Sequence, residues 1–502
     1  MTTSPQARRN ARPQDSAVLH TYETLIVGAG FAGLGSAIRL RQAGIRDIVI
    51  LERGNAVGGT WRDNQYPGAA CDIPSNLYSY SFAPNPEWSR AYSGSREILS
   101  YIESLVRQYE LAPLIRFGQE VIELAFDKAS RRWLAKTAAC QTYGARTVVM
   151  AQGPLSNASF PDMPGIGRFE GHKIHSARWD HGYDFAGKRV AVIGTGASAI
   201  QIIPELVKQA GFVKVFQRTP GWVLPRPDYG TPDWMRALFR RAPAAQSALR
   251  QILYGAHESM ATGLIWRTPA SGLLEQVARL HLRSQVPDDW MRRQLTPDYR
   301  IGCKRVLVSN DYYPSLQRPN AKLITWPIAT LSPRGIRTVE GVEHQADCIV
   351  FATGFDVSKT GTPFPIHGLG GRLLSEEWQR GAQAYRSVSV AGYPNLFFTF
   401  GPNSGPGHNS ALVYMESQIG YIVQGVRLVI ERDLKWLDVD EDAQQRYNAA
   451  IQRRLAGTNW NSGCKSWYLT GDGFNGTMYP GFATQYRLQM RRLPQHDYSL
   501  VR

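Results

Sequence analysis

Two glycine-rich turns, each set between an apolar strand and a helical pattern, constrain the fold of this chain more than any other feature. The first is Gly28-Ala-Gly30-Phe-Ala-Gly33. Thr24–Val27 before it reads as a buried strand, Ala32, Leu34, Ile38 and Leu40 after it recur at helical spacing, and an apolar strand follows at Ile48–Leu51. This is a βαβ unit. The design recurs at Arg189–Ile193, the turn Gly194-Thr-Gly196-Ala-Ser-Ala199, a helix over Ile200–Val207 and a strand at Val213–Phe216. Two such units predict an α/β protein with two Rossmann-like dinucleotide-binding domains.

The second position of each unit separates the nucleotides. Glu52 ends the strand after the first turn, 24 residues on from Gly28, where a carboxylate can accept from both hydroxyls of a ribose. Arg218 stands at the same distance from Gly194. A guanidinium cannot accept from a ribose hydroxyl but pairs with a 2′-phosphate, with Thr219 as a further donor. A solvated strand-end charge is the competing reading of Arg218. The pattern fits FAD at the first turn and NADPH at the second, with hydride passing from nicotinamide to flavin.

At 502 residues the chain exceeds the size at which one core stops growing. Residues 1–20 read as a disordered polar tail, 21–155 as the first part of the FAD domain, and 156–335 as the NADPH domain. Residues 336–502 read as the second part of the FAD domain with a C-terminal segment. The Pro/Gly-rich stretch Ala151–Gly167 suits the linker. From about 232 to 297 the NADPH domain carries a helical insertion. Leu249, Ile252, Leu253 and Ala256 mark one apolar face there, and Leu273, Leu274, Val277 and Leu280 another. Packing without chemistry is one reading of that block. The strand Cys348–Ala352, running into Thr353-Gly354, is read as a return to the first domain.

A formal charge of +16 attracts anions of many kinds. Its arginines are scattered, with no basic run and no zinc-finger or RNA-binding signature, so nucleic acid is not an expected partner. Most of the charge reads as surface, a minority as serving cofactor phosphates. Five cysteines (Cys71, Cys140, Cys303, Cys348, Cys464) contain no C-x-x-C pair and read as reduced cytosolic thiols, which removes a disulfide-reductase reading. The N-terminus lacks a signal-peptide core and no apolar segment reaches membrane length, so the expectation is a cytoplasmic protein without membrane or metal sites.

Phe169–Asp180 reads FEGHKIHSARWD and fits the pattern F-x-G-x-x-x-H-x-x-x-W-P/D. Here the chain resembles the Baeyer–Villiger monooxygenases, flavoenzymes that turn ketones into esters or lactones with NADPH and O2. Related N- and S-oxygenating flavin monooxygenases share Phe, Gly and His but usually lack the Trp followed by Pro or Asp; they remain the alternative. GGTWRDNQYPGAACD (Gly58–Asp72), GCKR (Gly302–Arg305), ATGF (Ala352–Phe355), GPNSGPGHNS (Gly401–Ser410) and SWYLTGDGFNGTMYPGF (Ser466–Phe482) also have family counterparts. Among subgroups the chain looks most like the hydroxyacetophenone-type members, without the extra N-terminal region that some of them carry.

By that resemblance Arg305 matches the arginine that stabilises a C4a-peroxyflavin and Asp72 the carboxylate that orients it, the two catalytic candidates. An arginine suits the role because it does not lose its proton near neutral pH, and a guanidinium can stabilise the oxyanion of the adduct. The cofactor contacts implied are Gly28, Gly30, Phe31, Gly33, Glu52, Thr60, Trp61, Asp72, Tyr78 and Val121 for FAD. For NADPH they are Gly194, Thr195, Gly196, Ala197, Ser198, Gln201, Arg218, Thr219, Lys304 and Trp467. Tyr78, Val121 and Trp467 also read as core, and Lys304 as an exposed lysine. If residues 304–305 are extended, their side chains face opposite ways, one toward the phosphate and one toward the flavin. His175 and His408 read as packing groups rather than catalytic bases.

Overall fold

The computed structural model describes residues 18–155, 157–355, 362–464 and 466–502. The chain opens with β1 (Val18–Val27), α1 (Phe31–Gln42) and β2 (Ile48–Leu51). Two helices follow, α2 (Thr60–Asp63) and α3 (Ser95–Gln108), then β3 (Ile115–Arg116), β4 (Val121–Asp127), β5 (Arg132–Thr137) and β6 (Thr142–Met150). Strands β6, β1, β2 and β3 run parallel, while β4 and β5 form an antiparallel extension. Residues 18–20, expected in the disordered tail, begin β1, because its pairing with β6 runs past the buried core as far as Val18↔Thr142. The rest of that tail lies outside the described residues.

A second sheet is built from β7 (His172–His175), β8 (Arg189–Ile193) and β9 (Phe212–Phe216), with α4 (Ala197–Gln209) between the last two. After β10 (Val223–Leu224) come the helices α5 (Asp233–Arg241), α6 (Pro243–Leu264), α7 (Pro269–Gln285) and α8 (Asp289–Leu295). The chain then lays down β11 (Leu307–Val308) beside β10, β12 (Ala321–Ile324) beside β9, and the antiparallel β13 (Ile328–Ser332), β14 (Gly335–Thr338) and β15 (Glu343–Gln345). Next comes β16 (Cys348–Phe351). It lies between β8 and β7, completing a parallel sheet of order β12-β9-β8-β16-β7.

That placement corrects the expected return at Cys348–Ala352, since the strand belongs to the second sheet and the chain rejoins the first only at β17 (Ile366–His367) and β18 (Leu396–Phe398). An all-apolar strand buried on both faces carries no mark of which sheet it enters. Two connections run side by side where the chain crosses: Ala158 pairs with Phe355, and Ser159 N donates to Gly354 O at 3.0 Å. Both sheets are covered on both faces. Leu25 and Ile26, which point to opposite faces of the first sheet, and Ala191 and Val192, which do so on the second, are fully buried, the Leu, Ile and Val each contributing about 1.5–3 kcal/mol by burial.

Candidate active site

Both glycine turns cross the end of a neighbouring parallel strand. Gly28 has φ +107°, and a Cβ there would sit 2.9 Å from the Ala151 carbonyl oxygen after β6. Gly194 has φ +117°, and its Cβ would sit 2.5 Å from the Ala352 oxygen after β16. Neither position accepts a side chain. The helices that follow begin at Gly30 and Gly196 with no side-chain cap and no acid in the first turn. Their leading amides therefore remain available to an anion. A Cβ on Gly196 would meet nothing within 4 Å, so there is open space before α4.

The groups beside the two turns differ in charge. Glu52 is 4 % exposed; its Oε2 accepts from Ala29 N at 2.9 Å, and its Oε1 from Gly54 N at 2.8 Å and Arg62 Nη1 at 2.7 Å. These bonds occupy three of about four acceptor positions, so Glu52 can grip both ribose hydroxyls only if Arg62 gives way. At the second turn Thr195 Oγ1 donates to Thr219 O at 3.0 Å. Arg218 is exposed and makes no ion pair among the described residues. Lys304 lies over the Tyr299 ring at 4.7 Å. Burial, then repulsion by Arg218, lowers its pKa, against a weaker pull from Asp298. Two cations beside an uncapped helix form a site for a highly charged anion.

The segment Gly58–Asp72 joins the two halves. Tyr66 Oη donates to Gln201 Oε1 at 3.0 Å, Ala70 N to the same oxygen at 3.3 Å, and Gln201 Nε2 to Ala70 O at 3.1 Å. Gly68, at φ +78°, lies so near α4 that a Cβ would stand 2.5 Å from Gln201 O. At the end of this segment Asp72 Oδ2 accepts from Arg305 Nε at 3.1 Å and from Nη2 at 2.7 Å. Arg305 Nη1 donates to the Pro406 carbonyl at 3.3 Å. Attraction by Asp72 raises the Arg305 pKa although burial opposes it, so the group is a fixed cation. About two of its five N–H donors remain for the cleft.

One segment thus runs from the first turn, past the helix of the second, to a permanent positive charge. A profile described as pyridine nucleotide-disulphide oxidoreductase matches residues 25–242. A protein of Streptomyces coelicolor called a Baeyer–Villiger monooxygenase is 43 % identical over 95 % of this chain and 92 % of its own. Another of that name, from Pseudomonas aeruginosa, is 41 % identical over 98 % and 94 %. The chain belongs to the Baeyer–Villiger monooxygenase family. Its fold matches an oxidized steroid monooxygenase bound to NADP, with a TM-score of 0.86, 30 % identity, and coverage of 96 % of this chain and 99 % of the other. Equal coverage and TM-score hold at 27 % identity for cyclohexanone monooxygenase from Rhodococcus sp. Phi1 bound to NADP+. An ε-caprolactone-bound cyclohexanone monooxygenase matches at 0.85 and 26 %, covering 96 % and 100 %.

In this Baeyer–Villiger chain the residues expected at the site divide by surroundings. Gly28, Gly30, Gly33, Gly194, Gly196 and Ala197 form the turns and helix starts, and Thr60 opens α2 against Gly153. The rings of Phe31 and Tyr78 pack edge to face at 5.7 Å, and Trp61 Nε1 donates to Tyr78 Oη at 3.2 Å. Val121 is 6 % exposed in the core, although the backbone just before it runs beside Glu52, with Gln119 N donating to Glu52 O at 2.9 Å. The Gln201 amide is bound by protein groups, and a hydrogen bond to Ser198 lowers the Tyr66 phenol against the larger, opposite effect of burial. Trp467 is 49 % exposed, its ring 4.5 Å from that of Tyr468. Lys304 and Arg305 do point to different partners, Tyr299 and Asp72.

The monooxygenase also holds what its sequence did not disclose. Cys303 and Cys464 form a disulfide with Cα atoms 6.3 Å apart, which corrects the reading of all five cysteines as reduced. Residues 161 positions apart meet only through the fold, and both lie outside the profile match. Cys71 and Cys348 are buried free thiols and Cys140 an exposed one. Tyr468, 3 % exposed, sits within electrostatic reach of Arg305 and Asp72, and its phenol is pushed up to about 12, first by burial. His257 on α6, whose Nδ1 donates to the His408 carbonyl, lies within electrostatic reach of the same pair. Tyr468 lies inside a quoted motif, next to Trp467, whereas His257 had no local signal. His175 is 2 % exposed beside Phe160, with burial lowering its pKa, and the His408 side chain is fully buried.

Proposed function

We propose that this chain inserts one oxygen atom of O2 beside the carbonyl of a ketone to give an ester or lactone, with electrons drawn from NADPH through FAD. The observation that carries the reading is the Asp72–Arg305 pair, at the end of the segment that starts beside the first turn and is bonded to α4 behind the second. The cradles fit the two groups. At the first, the uncapped α1 amides suit a pyrophosphate and Glu52 a ribose; at the second, Arg218 and Lys304 suit a 2′-phosphate. When bound, the flavin takes hydride from the nicotinamide and activates O2.

This chain supplies placement and charge. Arg305 keeps a positive charge at the reaction centre and presents free N–H donors to the oxyanion that develops on the ketone carbonyl. Asp72 holds that guanidinium through one carboxylate oxygen. Gln201 and Tyr66 clasp the Gly58–Asp72 segment to α4, keeping the two nucleotide sites in register. The lactone bound by a structural relative is a product of this reaction class.

A panel of cyclic, linear and aryl ketones, read by gas chromatography, tests the activity. Ester or lactone is expected, whereas NADPH loss yielding only hydrogen peroxide across the panel, or amine and sulfide oxidation without any ester, overturns the reading. Arg305→Ala is expected to leave anaerobic flavin reduction within about twofold while lowering ester formation at least about 100-fold. Retained ester formation removes Arg305 from the chemistry.

A further inference from the structure

Asp72 grips Arg305 in a way that leaves a degree of freedom. Nε and Nη2 both donate to one oxygen, Oδ2, rather than forking onto two. A guanidinium held at a single point can pivot about it. The third contact, Nη1 to the Pro406 carbonyl, stops the pivot. What holds Pro406 therefore holds the reaction centre.

The loop carrying Pro406 has two anchors. Before it, Asn403 N donates to Gly476 O at 2.7 Å and Gly405 N to Thr477 O at 2.8 Å. After it, the anchor comes from α6. Glu258 accepts from His408 Nε2 and Asn409 Nδ2, both at 3.2 Å, and from the backbone amides of Ala483 (3.2 Å) and Thr484 (2.8 Å). His257 Nδ1 donates to the His408 carbonyl at 2.9 Å. Burial disfavours the Glu258 charge, yet His408 and Thr484 hold its carboxyl down at about 2. A carboxylate so placed is stable only with its partners assembled.

We propose that His257 and Glu258 are positioning residues for the oxygen insertion, fixing the 406–409 loop from α6 so that the Pro406 carbonyl sets the orientation of Arg305. The inference rests on the reading of Arg305 above. A clamp that serves folding alone is the rival, and it predicts no selective effect on coupling.

The experiment compares Glu258→Ala with Glu258→Gln in the full-length flavoprotein. Glu258→Ala should leave the anaerobic rate of flavin bleaching by NADPH within about twofold, while ester formed per NADPH consumed falls about tenfold and hydrogen peroxide takes its place. Glu258→Gln, which keeps an acceptor at the Oε2 position for Asn409 and the Ala483 amide but loses the one for Thr484, should recover part of the coupling. A crystal structure of Glu258→Ala should show Arg305 Nη1 displaced from Pro406 O. Should Glu258→Ala fail to fold, His257→Leu, which removes one hydrogen bond, serves in its place. Coupling unchanged in the variant that folds overturns the proposal, as does Arg305 in its original place. Wild-type protein that makes no ester sinks the functional reading instead.

Discussion

On the proposed reading, Arg218 is the side chain that distinguishes NADPH from NADH. It stands exposed near Lys304, without an acid of its own among the described residues, so a 2′-phosphate placed there would gain a charge-assisted contact that a bare hydroxyl cannot supply. Such a bond is worth about 1.5–3 kcal/mol. Arg218→Ala should therefore raise KM for NADPH roughly 10- to 150-fold while shifting that for NADH little, as steady-state kinetics with both nucleotides would show. Equal shifts mean the phosphate lies elsewhere. Arg218, Glu52, Asp72 and Arg305 were legible because each occupies a set place after a strand or inside a motif. Tyr468 and His257 were not singled out, because only the fold brings them within electrostatic reach of the Arg305–Asp72 pair.

At the scale of elements, α6 exposes the limit of reading periodicity. Of the face expected to pack, Leu253 does lie against the core, but Ile252, 68 % exposed, and Ala256, also exposed, turn to solvent. The face turned inward carries Gln246, Arg250, His257 and Ala261, and it is held by hydrogen bonds. Arg250 Nη1 donates to the carbonyls of Asn76, Leu77 and Ser79 at 3.0, 3.2 and 2.8 Å, and Nη2 to Glu416 at 3.4 Å. A hydrophobic pattern detects burial only when apolar side chains fill the buried face. Thermal or urea unfolding separates the two assignments. Ile252→Glu should change stability by no more than about 0.5 kcal/mol, whereas Arg250→Ala, stripping the donor from three carbonyls, should cost about 2–4 kcal/mol. The reverse ranking would restore the apolar face.

Across the whole molecule, the disulfide ties the turn that leads into Arg305 to the segment bearing Trp467 and Tyr468. Among the described residues, the backbone hydrogen bonds of 463–468 stay within that segment and its flanking turn. Closing a loop of this length removes chain entropy worth up to about 5 kcal/mol from the unfolded state. Reduction, or Cys303→Ser, should therefore speed thermolysin cleavage around Trp467–Leu469 and lower the thermal midpoint. Identical cleavage rates in the oxidised and reduced protein would refute the tie. No helix among the described residues is long and apolar enough to cross a membrane.

The amino-acid sequence alone determined the two βαβ units, the nucleotide turns with their acid and their base, and the motifs that hold Asp72 and Arg305. All of these are local, written within about 25 residues as the spacing of glycines, apolar strands and a charge. Only the tertiary structure decided that Cys348–Phe351 enters the second sheet, that Cys303 meets Cys464, and that α6 buries its polar face against the loop beneath Arg305. Each of those joins residues far apart along the chain. Such contacts leave no period or spacing to read, because they form only when the whole chain has folded around them.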